Sequence, residues 1–177
     1  IGGGIAGMQV ALAVADAGYE ADLVEKSGEL GGNLRQLRYT LQGDDLESFL
    51  NSTIQAVESQ KLINVYMKSS LVELSGYAGS FVAKFGDGKA KRYGAIVVAT
   101  GGGEYAAAEY AKHPGIITQR ELEAKLVHKE IDGSVRSVVM LQCVGSRNDR
   151  NRYCSRVCCA GAIKNAIKLK EANPEVE

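Results

Sequence analysis

The sequence has no excess of charge, no long apolar run and no pair of cysteines in C-x-x-C spacing. Basic and acidic residues both number 21, so the net charge of zero gives no reason to expect nucleic acid or an anionic membrane as a partner. No apolar run approaches the roughly 20 residues of a membrane-spanning helix, and no signal-peptide pattern is present. We therefore expect a cytoplasmic protein without direct membrane insertion.

All four cysteines lie in residues 143–159, which we call the cysteine segment. Their spacing, C-x10-C-x3-C-C, differs from a redox C-x-x-C, from the paired C-x-x-C of a zinc ribbon and from ferredoxin runs. Four arginines in the same stretch suggest thiolates with charge compensation. If the segment is helical, Cys154 and Cys158 lie one turn apart, and the long loop lets Cys143 fold back toward them. The residues alone leave open an iron–sulfur cluster, a zinc site, a dithiol redox pair or buried structural cysteines.

A glycine-rich turn stands at the other end of the sequence. Residues 2–7 read GGGIAG and fit G-x-G-x-x-G through Gly2, Gly4 and Gly7. Gly2 permits the turn, Gly4 lets the backbone approach a pyrophosphate, and Gly7 lets a helix pack against a strand. Apolar residues then recur at helical spacing, which predicts a helix whose N-terminus stabilises phosphate charge. A lone G-x-G-x-x-G is a weak signal, so its interpretation depends on the neighbouring residues.

The next segment of the chain supplies this context. Residues 21–25, ADLVE, predict a short apolar strand that ends in Glu25, eighteen residues after Gly7. A dinucleotide fold places at about this position a carboxylate that accepts hydrogen bonds from ribose hydroxyls and disfavours a 2′-phosphate. The loop after Glu25 carries Gly31 and Gly32 and resembles the flavin-binding half of two-dinucleotide flavoproteins, in which this loop runs along the FAD pyrophosphate. We therefore predict that FAD is bound here.

The remaining pattern predicts further helices and strands. Residues 44–60 predict an amphipathic helix, residues 64–94 a strand followed by a small antiparallel meander, and residues 95–98 a buried strand that enters a glycine turn. Thr118 and Glu121 predict a capping box before a helix that runs through about Val127. Residues 137–142 predict another buried strand and residues 160–172 a helix. The last two would form a second dinucleotide-like βα unit in which the cysteine segment replaces the glycine fingerprint.

The predicted fold class is α/β. Residues 1–115 form a truncated Rossmann-like FAD-binding domain of the two-dinucleotide-binding flavoprotein type, with its β-meander at about 64–94. Residues 116–177 form a partial nicotinamide-domain-like segment that carries the cysteines. Ile1 stands directly before a turn that normally follows a whole strand, and residues 174–177 resemble the approach to another strand. We therefore expect a piece of a longer polypeptide.

Several motifs spread along the chain resemble the A subunit of heterodisulfide reductase. They are IGGGIAGM, LVEKSGELGG, VVATGG, IITQRELE, QCVGSR and YCSRVCC. The resemblance implies a thioredoxin-reductase-like core that binds FAD and a four-iron four-sulfur (4Fe-4S) cluster held by Cys143, Cys154, Cys158 and Cys159. The residues it implies for FAD are Gly2, Gly4, Ile5, Ala6, Gly7, Glu25, Lys26, Gly31, Gly32, Asn33, Leu34, Ser70, Leu71, Ala99, Thr100 and Gly101.

The resemblance also implies a function. The chain would be the electron-transfer core of an FAD-dependent oxidoreductase, passing electrons between FAD and the cluster to other subunits of a heterodisulfide-reductase-type complex. It could also form a homodimer. Ferredoxin-type cysteine runs and the later flavin-domain segment of this family are absent, so we expect the chain alone to be incomplete as an enzyme. The alternatives are a zinc-binding assembly module and a thiol–disulfide reductase that acts through Cys154 and Cys158.

Overall fold

A computed structural model describes residues 1–86, 88–105, 113–131 and 134–177. The chain divides into two compact units. Unit 1 contains residues 1–35 and 47–102, and unit 2 contains residues 36–46 and 103–177. The predicted domain boundary after residue 115 stays a prediction. None of the helices formed by the described residues has both the length and the apolar character needed to cross a membrane.

The core of unit 1 packs two helices against a parallel strand pair. Helix α1 (Ile5–Asp16) precedes strand β1 (Ala21–Val24), and helix α2 (Leu46–Ser59) precedes strand β2 (Ile63–Tyr66). Strands β1 and β2 are parallel, with Ala21 opposite Ile63. The buried apolar side chains come from all four elements and include Met8, Leu23, Leu50, Val57 and Ile63. This core holds the N-terminus of α1 and the carboxyl end of β1 at one edge, where a Rossmann-like fold binds its ligand.

The predicted antiparallel meander is confirmed. Strand β3 (Leu71–Tyr77), strand β4 (Ser80–Phe85) and strand β5 (Ala90–Tyr93) form a three-stranded sheet in sequence order. Asp22 of β1 accepts hydrogen bonds from Lys91 Nζ at 2.7 Å, Tyr93 Oη at 2.6 Å and Asn64 Nδ2 at 3.0 Å. These bonds tie β5 to the parallel pair through a carboxylate whose side chain is only 3% exposed.

Residues 95–98, predicted as a buried strand, form none of the strands of the described structure, and the prediction that they are buried is wrong. The amino group of Ile1 donates to Val97 O at 2.7 Å, and Ala99 N donates to Ile1 O at 2.8 Å. These two hydrogen bonds pair Ile1 with residues 97–99 in the pattern of parallel strands. Val98 is nevertheless 70% exposed. An apolar stretch can be buried, but it is buried completely only where other elements pack against both of its faces.

Unit 2 contains helix α3 (Gln119–Val127) and helix α4 (Cys158–Ala172). The predicted capping box at the start of α3 is confirmed. Thr118 Oγ1 accepts from Glu121 N, and the Glu121 carboxylate accepts from Thr118 N at 2.7 Å. A box of this kind satisfies two of the amide groups that a helix N-terminus leaves without intrahelical partners.

A buried polar network joins α3, α4 and the loop around Tyr39 within unit 2. Glu123 is 2% exposed, and its carboxylate lies 2.8 Å from Lys164 Nζ. Lys164 also donates to Tyr39 O at 2.7 Å, and Tyr39 Oη donates to Asn165 Oδ1 at 2.8 Å. Burial, followed by the negative charges of Glu123 and Glu171, raises the pKa of Tyr39 to about 12. The network fixes α4 against α3, because each of its buried polar groups has a partner.

Residues 137–142, predicted as a buried strand before the cysteine segment, form none of the strands of the described structure. Val138 N donates to Glu177 O, and Glu177 N donates to Arg136 O, both at 2.8 Å. The prediction that this stretch is buried is wrong for one face, because Val139 is 80% exposed and Leu141 is 70% exposed. The opposite face is only partly exposed. Exposure therefore alternates from one residue to the next, so that one face of the segment is packed and the other is open to solvent.

Candidate functional site

The glycine turn and the N-terminus of α1 form the first part of a backbone-lined site. A Cβ atom on Gly2 would lie 2.2 Å from Ala99 O, and one on Gly7 would lie 1.8 Å from Gly2 O. Both positions therefore exclude any side chain. Gly4 occupies the N-cap of α1, where no side chain caps the helix, and the first turn contains no acid. The helix N-terminus thus presents amide groups and positive dipole potential to an anion.

The loop with the second glycine pair packs directly on this turn. Gly31 N donates to Gly3 O at 2.8 Å, and Gly31 forms a parallel bridge with Gly4. A Cβ atom on Gly32 would lie 3.2 Å from Gly4 Cα. Gly31 has a φ of 113°, a conformation that disfavours other residues. The backbones of the two glycine-rich loops therefore approach each other closely.

A third loop, residues 99–102, completes the arrangement. Asn33 Nδ2 donates to Gly102 O at 2.8 Å. Gly2 packs closely against the backbone of Ala99, and Thr100 and Gly101 are exposed. We call residues 2–7, 31–33 and 99–102 together the glycine cradle. It unites three stretches that the sequence singled out separately, all within unit 1.

Glu25 lies at the base of the glycine cradle, at the end of β1. Its carboxylate accepts from Gly3 N at 2.6 Å and from Ser27 N at 2.7 Å, and the residue is 8% exposed. Burial alone would raise the pKa of Glu25, but the amides of Ser27 and Gly3 outweigh it and hold the pKa below its usual value. The side chain is thus a fixed anion. A carboxylate offers about four lone-pair positions, so the two amides do not occupy all of them.

The remaining residues predicted to contact FAD belong to several different elements of the fold. Ile5 and Ala6 form the first turn of α1, whereas Lys26 is exposed immediately after Glu25. Leu34 belongs to a 3-10 helix, Gly32–Gln36, and packs on the core of unit 1. Ser70 and Leu71 stand at the start of β3, after Ser69, whose amide donates to Glu25 O at 2.9 Å. Their roles as cofactor contacts stay predictions.

The chemistry of the glycine cradle fits a dinucleotide. Its open helix N-terminus suits a pyrophosphate, the excluded Cβ atoms allow close approach of the backbone, and the buried Glu25 carboxylate is an acceptor for ribose hydroxyl groups. A fixed negative charge at that position opposes a 2′-phosphate through Coulomb repulsion. The arrangement can bind and orient a cofactor, while the electron chemistry would belong to the cofactor itself.

The cysteine segment differs in construction. Cys143 is partly exposed, and Cys154, Cys158 and Cys159 are exposed; all four thiols are free. Among the described residues, which include every cysteine, no three His, Cys, Asp or Glu side chains lie together as a group that could hold a metal ion. The donor set has the chemistry of an iron–sulfur or zinc site, but its four sulfurs are not assembled. The metal-ligand assignment therefore stays a prediction.

Residues between Cys154 and Cys158 are not helical, so the condition under which these two cysteines would lie one helical turn apart is not met. Helix α4 begins at Cys158, and residues 151–157 are not helical, so the two cysteines do not share a helix face. Instead, Cys143, Arg147 and Arg156 adopt left-handed backbone conformations, with φ values of 61°, 55° and 62°. The segment therefore contains turns and bends before α4 begins.

Sequence reasoning missed the residues that shape the first half of the cysteine segment. Asn148 Oδ1 accepts from Arg150 N at 3.0 Å and Asn151 N at 2.9 Å, and Asn151 Nδ2 donates to Gly145 O at 2.9 Å. The ring of Tyr105 lies so close to Gly145 that an added Cβ would be 2.6 Å from it. The asparagines could have been recognised as turn formers, whereas no sequence signal pointed to Tyr105.

Comparison with known proteins agrees with the fold and with the motifs. Residues 1–62 match the family model described as an NAD(P)-binding Rossmann-like domain, which confirms the predicted Rossmann-like fold class. The A subunit of the Ferredoxin/F(420)H(2)-dependent CoB-CoM heterodisulfide reductase of Methanosarcina acetivorans is 24% identical over all of this chain. An iron-sulfur A subunit of the CoB--CoM heterodisulfide reductase of Methanopyrus kandleri is 25% identical, also over all of it. The chain resembles the heterodisulfide reductase A subunit.

This likeness extends over only part of each relative. The chain spans 35% of the Methanosarcina protein and 42% of the Methanopyrus protein. Among solved structures, L-proline dehydrogenase from P. horikoshii matches 51% of this chain and 19% of its own, with 22% identity and a TM-score of 0.43. The activities, substrates and partners of whole relatives therefore do not pass directly to this chain.

Proposed function

We propose that this chain is the FAD-binding, electron-transferring core of a heterodisulfide-reductase-type oxidoreductase. The observation that carries the proposal is the glycine cradle, in which three glycine loops, an open helix N-terminus and a buried carboxylate converge. The likeness to the heterodisulfide reductase A subunit over the whole chain supports the same function. FAD, when bound, would supply the exchange of hydride or single electrons.

The chain's own residues would bind and orient this cofactor. Amide groups at the start of α1 would face the pyrophosphate, and Gly31 and Gly32 would let the backbone approach it closely. Glu25 would accept from ribose hydroxyl groups with the lone pairs that Gly3 and Ser27 leave available. Asn33 would hold the loop at Gly102 against the remainder of the glycine cradle, as its hydrogen bond does in this structure.

The four cysteines would hold a 4Fe-4S cluster that relays electrons to partner subunits. The support comes from the donor set, since Cys143, Cys154, Cys158 and Cys159 are all free thiols in one segment of 17 residues. The arginines of that segment would offset the negative charge of a thiolate-ligated cluster. Assembly would require the sulfurs to converge, which metal binding drives when a site is not preformed.

The setting of this function is also part of the proposal. A subunit of this kind would act in the cytoplasm with other subunits of a heterodisulfide-reductase-type complex. Because the chain spans less than half of its relatives, the complete reaction would need further segments or subunits.

Anaerobic purification of the full-length protein tests the proposal. We expect flavin absorbance near one FAD per chain, together with iron and acid-labile sulfide. A Cys158→Ser variant should lose iron and sulfide but keep flavin, because the glycine cradle contains no cysteine. A Cys143→Ser variant provides the matched comparison from the other end of the segment and should behave in the same way.

Three outcomes would contradict parts of the proposal. Neither flavin nor iron in the wild-type protein would reject it as a whole. One zinc per chain, with no iron after anaerobic reconstitution, would favour the assembly-module alternative. Loss of disulfide turnover in Cys154→Ala with unchanged iron would favour a direct thiol–disulfide reductase.

A further inference from the structure

The side chain of Arg35 lies against the second glycine loop of the glycine cradle. Arg35 belongs to the 3-10 helix Gly32–Gln36, and its Nε–H donates to Leu30 O. A Cβ atom on Gly31 would lie 3.0 Å from Arg35 Cγ and 3.1 Å from Arg35 Nε. The Arg35 side chain therefore covers the face of Gly31 on which any other residue would carry its own side chain. Arg35, Leu30 and Gly31 all belong to unit 1.

The carbonyl of Leu30 needs this donor because Leu30 is buried. The residue is only 2% exposed, so water has little access to it. A buried carbonyl without a partner costs a free energy comparable to that of a lost hydrogen bond. The Leu34 amide donates to the next carbonyl, Gly31 O, at 3.1 Å. The two bonds together close residues 30–35 into a compact turn.

This turn carries the amide that joins the second glycine loop to the first. Gly31 N donates to Gly3 O at 2.8 Å, and Gly32 packs closely on Gly4. Leu30 O and Gly31 N belong to one planar peptide unit, so a rotation of that unit would break both of its hydrogen bonds. The Arg35 side chain therefore holds one side of the peptide unit while Gly3 O holds the other.

The charge of the Arg35 guanidinium is matched by a carboxylate outside the glycine cradle. Glu29 Oε2 lies 3.4 Å from Arg35 Nε, and the side chains of Arg35 and Glu29 are 37% and 64% exposed. Exposed ion pairs of this kind contribute little to stability, and salt screens them. The hydrogen bond to Leu30 O, rather than the charge, is thus the contact that connects Arg35 to the glycine cradle.

We infer that Arg35 is a positioning residue for the dinucleotide, because it holds the peptide unit between Leu30 and Gly31 in the orientation that the glycine cradle requires. The inference rests on the proposed function, since it assumes that FAD binds at the glycine cradle. Arg35 acts through the backbone of Gly31 and Gly32. Without its hydrogen bond the loop opens locally to solvent at little cost to the whole fold, and the binding of FAD has to order it again.

Titration of the full-length protein with FAD, after removal of its flavin, tests the inference, with flavin fluorescence as the signal. Arg35→Met keeps a side chain of similar reach but has no donor. Its dissociation constant for FAD should rise by up to about tenfold, as expected for the loss of one hydrogen bond. Arg35→Gln places an amide nitrogen as far along the side chain as arginine Nε and should restore the affinity of the wild type without a charge.

Two further variants serve as controls. Glu29→Gln removes the ion pair but leaves the hydrogen bond to Leu30 O. Arg92→Met makes the same substitution at an exposed arginine of β5. Both should bind FAD as the wild type does. Chemical denaturation of each flavin-free variant, Arg35→Met included, should give a free energy of unfolding close to that of the wild type.

The outcomes separate this inference from the proposed function. Wild-type FAD affinity in Arg35→Met overturns the inference and leaves the proposed function intact. Binding that is weakened equally in Arg35→Gln and Arg35→Met assigns the effect to the guanidinium charge and also overturns the inference. Absence of FAD binding by the wild-type protein overturns both.

Discussion

The glycine cradle and the cysteine segment are two sites of opposite construction. The glycine cradle consists mostly of backbone, with Gly3, Gly7 and Gly31 buried and fixed by hydrogen bonds and close contacts. The cysteine segment relies on side chains, and three of its four cysteines are exposed. A site made of backbone must exist before its ligand arrives, because the fold positions the amides. A site made of sulfurs can take its geometry from the metal that it binds.

The largest predicted effect falls on the glycine cradle. In Gly7→Ala, the new Cβ would lie 1.8 Å from Gly2 O, and neither backbone can move without disturbing the turn. We expect a loss of about 3 kcal/mol in the free energy of unfolding and loss of FAD. Chemical denaturation and flavin content measure the two effects.

The helical Gly161 offers a matched control for this variant. A Cβ atom there meets nothing within 4 Å, so Gly161→Ala should stabilise α4 by up to about 1 kcal/mol. Wild-type stability in Gly7→Ala would mean that the close packing of the glycine turn is not required for folding.

The second prediction concerns the carboxylate at the base of the glycine cradle. Glu25→Gln removes the charge that accepts from Gly3 N and Ser27 N and should cost about 1 to 2 kcal/mol near pH 7. Since the folded pKa of Glu25 is lowered, its contribution is present above the ordinary carboxyl pKa of about 4.5 and is lost as the pH falls through the folded value. The variant should therefore show a shallower acid dependence of stability, measured by denaturation between pH 3 and pH 7.

Glu29 provides the control for the loss of charge. It is exposed and lies 3.4 Å from Arg35 Nε, so Glu29→Gln should change stability by less than about 0.5 kcal/mol. Equal acid dependence in the wild type and in Glu25→Gln would show that Glu25 does not contribute this slope.

The smallest predicted effect falls on the cysteine segment. Cys154→Ser in the metal-free protein should change the free energy of unfolding by less than about 0.5 kcal/mol, because the side chain is exposed and a serine oxygen can still accept from Arg156 N. Denaturation in the presence of a chelator measures this change. A loss above about 1 kcal/mol would mean that the segment stabilises the metal-free fold, and the contrast with the glycine cradle would fail.

The sequence pattern predicted the elements whose signals are local. The glycine turn and α1, the strand that ends at Glu25, the meander and the capping box at Thr118 all rest on spacings within a few residues. The pattern failed where burial depends on a distant partner. Val98 and Val139 are exposed, although the stretches that contain them are as apolar as buried strands. Only the packing of other elements on a stretch decides whether it is buried.

Contacts within unit 2 show the same limit. The Tyr39 and Asn165 side chains form a buried hydrogen bond although they are 126 residues apart in the sequence. No local spacing of residues predicts such a contact. The start of α4 at Cys158 also decided that Cys154 lies outside the helix. The 3.3 Å contact of Ser155 Oγ with Cys158 Sγ depends on the conformation of this stretch, which the sequence left open.

By itself, the sequence determined which groups are available: glycines where the backbone must come close, one acid after β1, and four cysteines with arginines around them. Only the tertiary structure decided which of them meet. The three loops of the glycine cradle come from residues as far apart as Gly2 and Gly102, and their contact depends on the core beneath them. The physical reason is that local conformation depends on neighbouring residues, whereas burial and convergence depend on contacts distant in the chain.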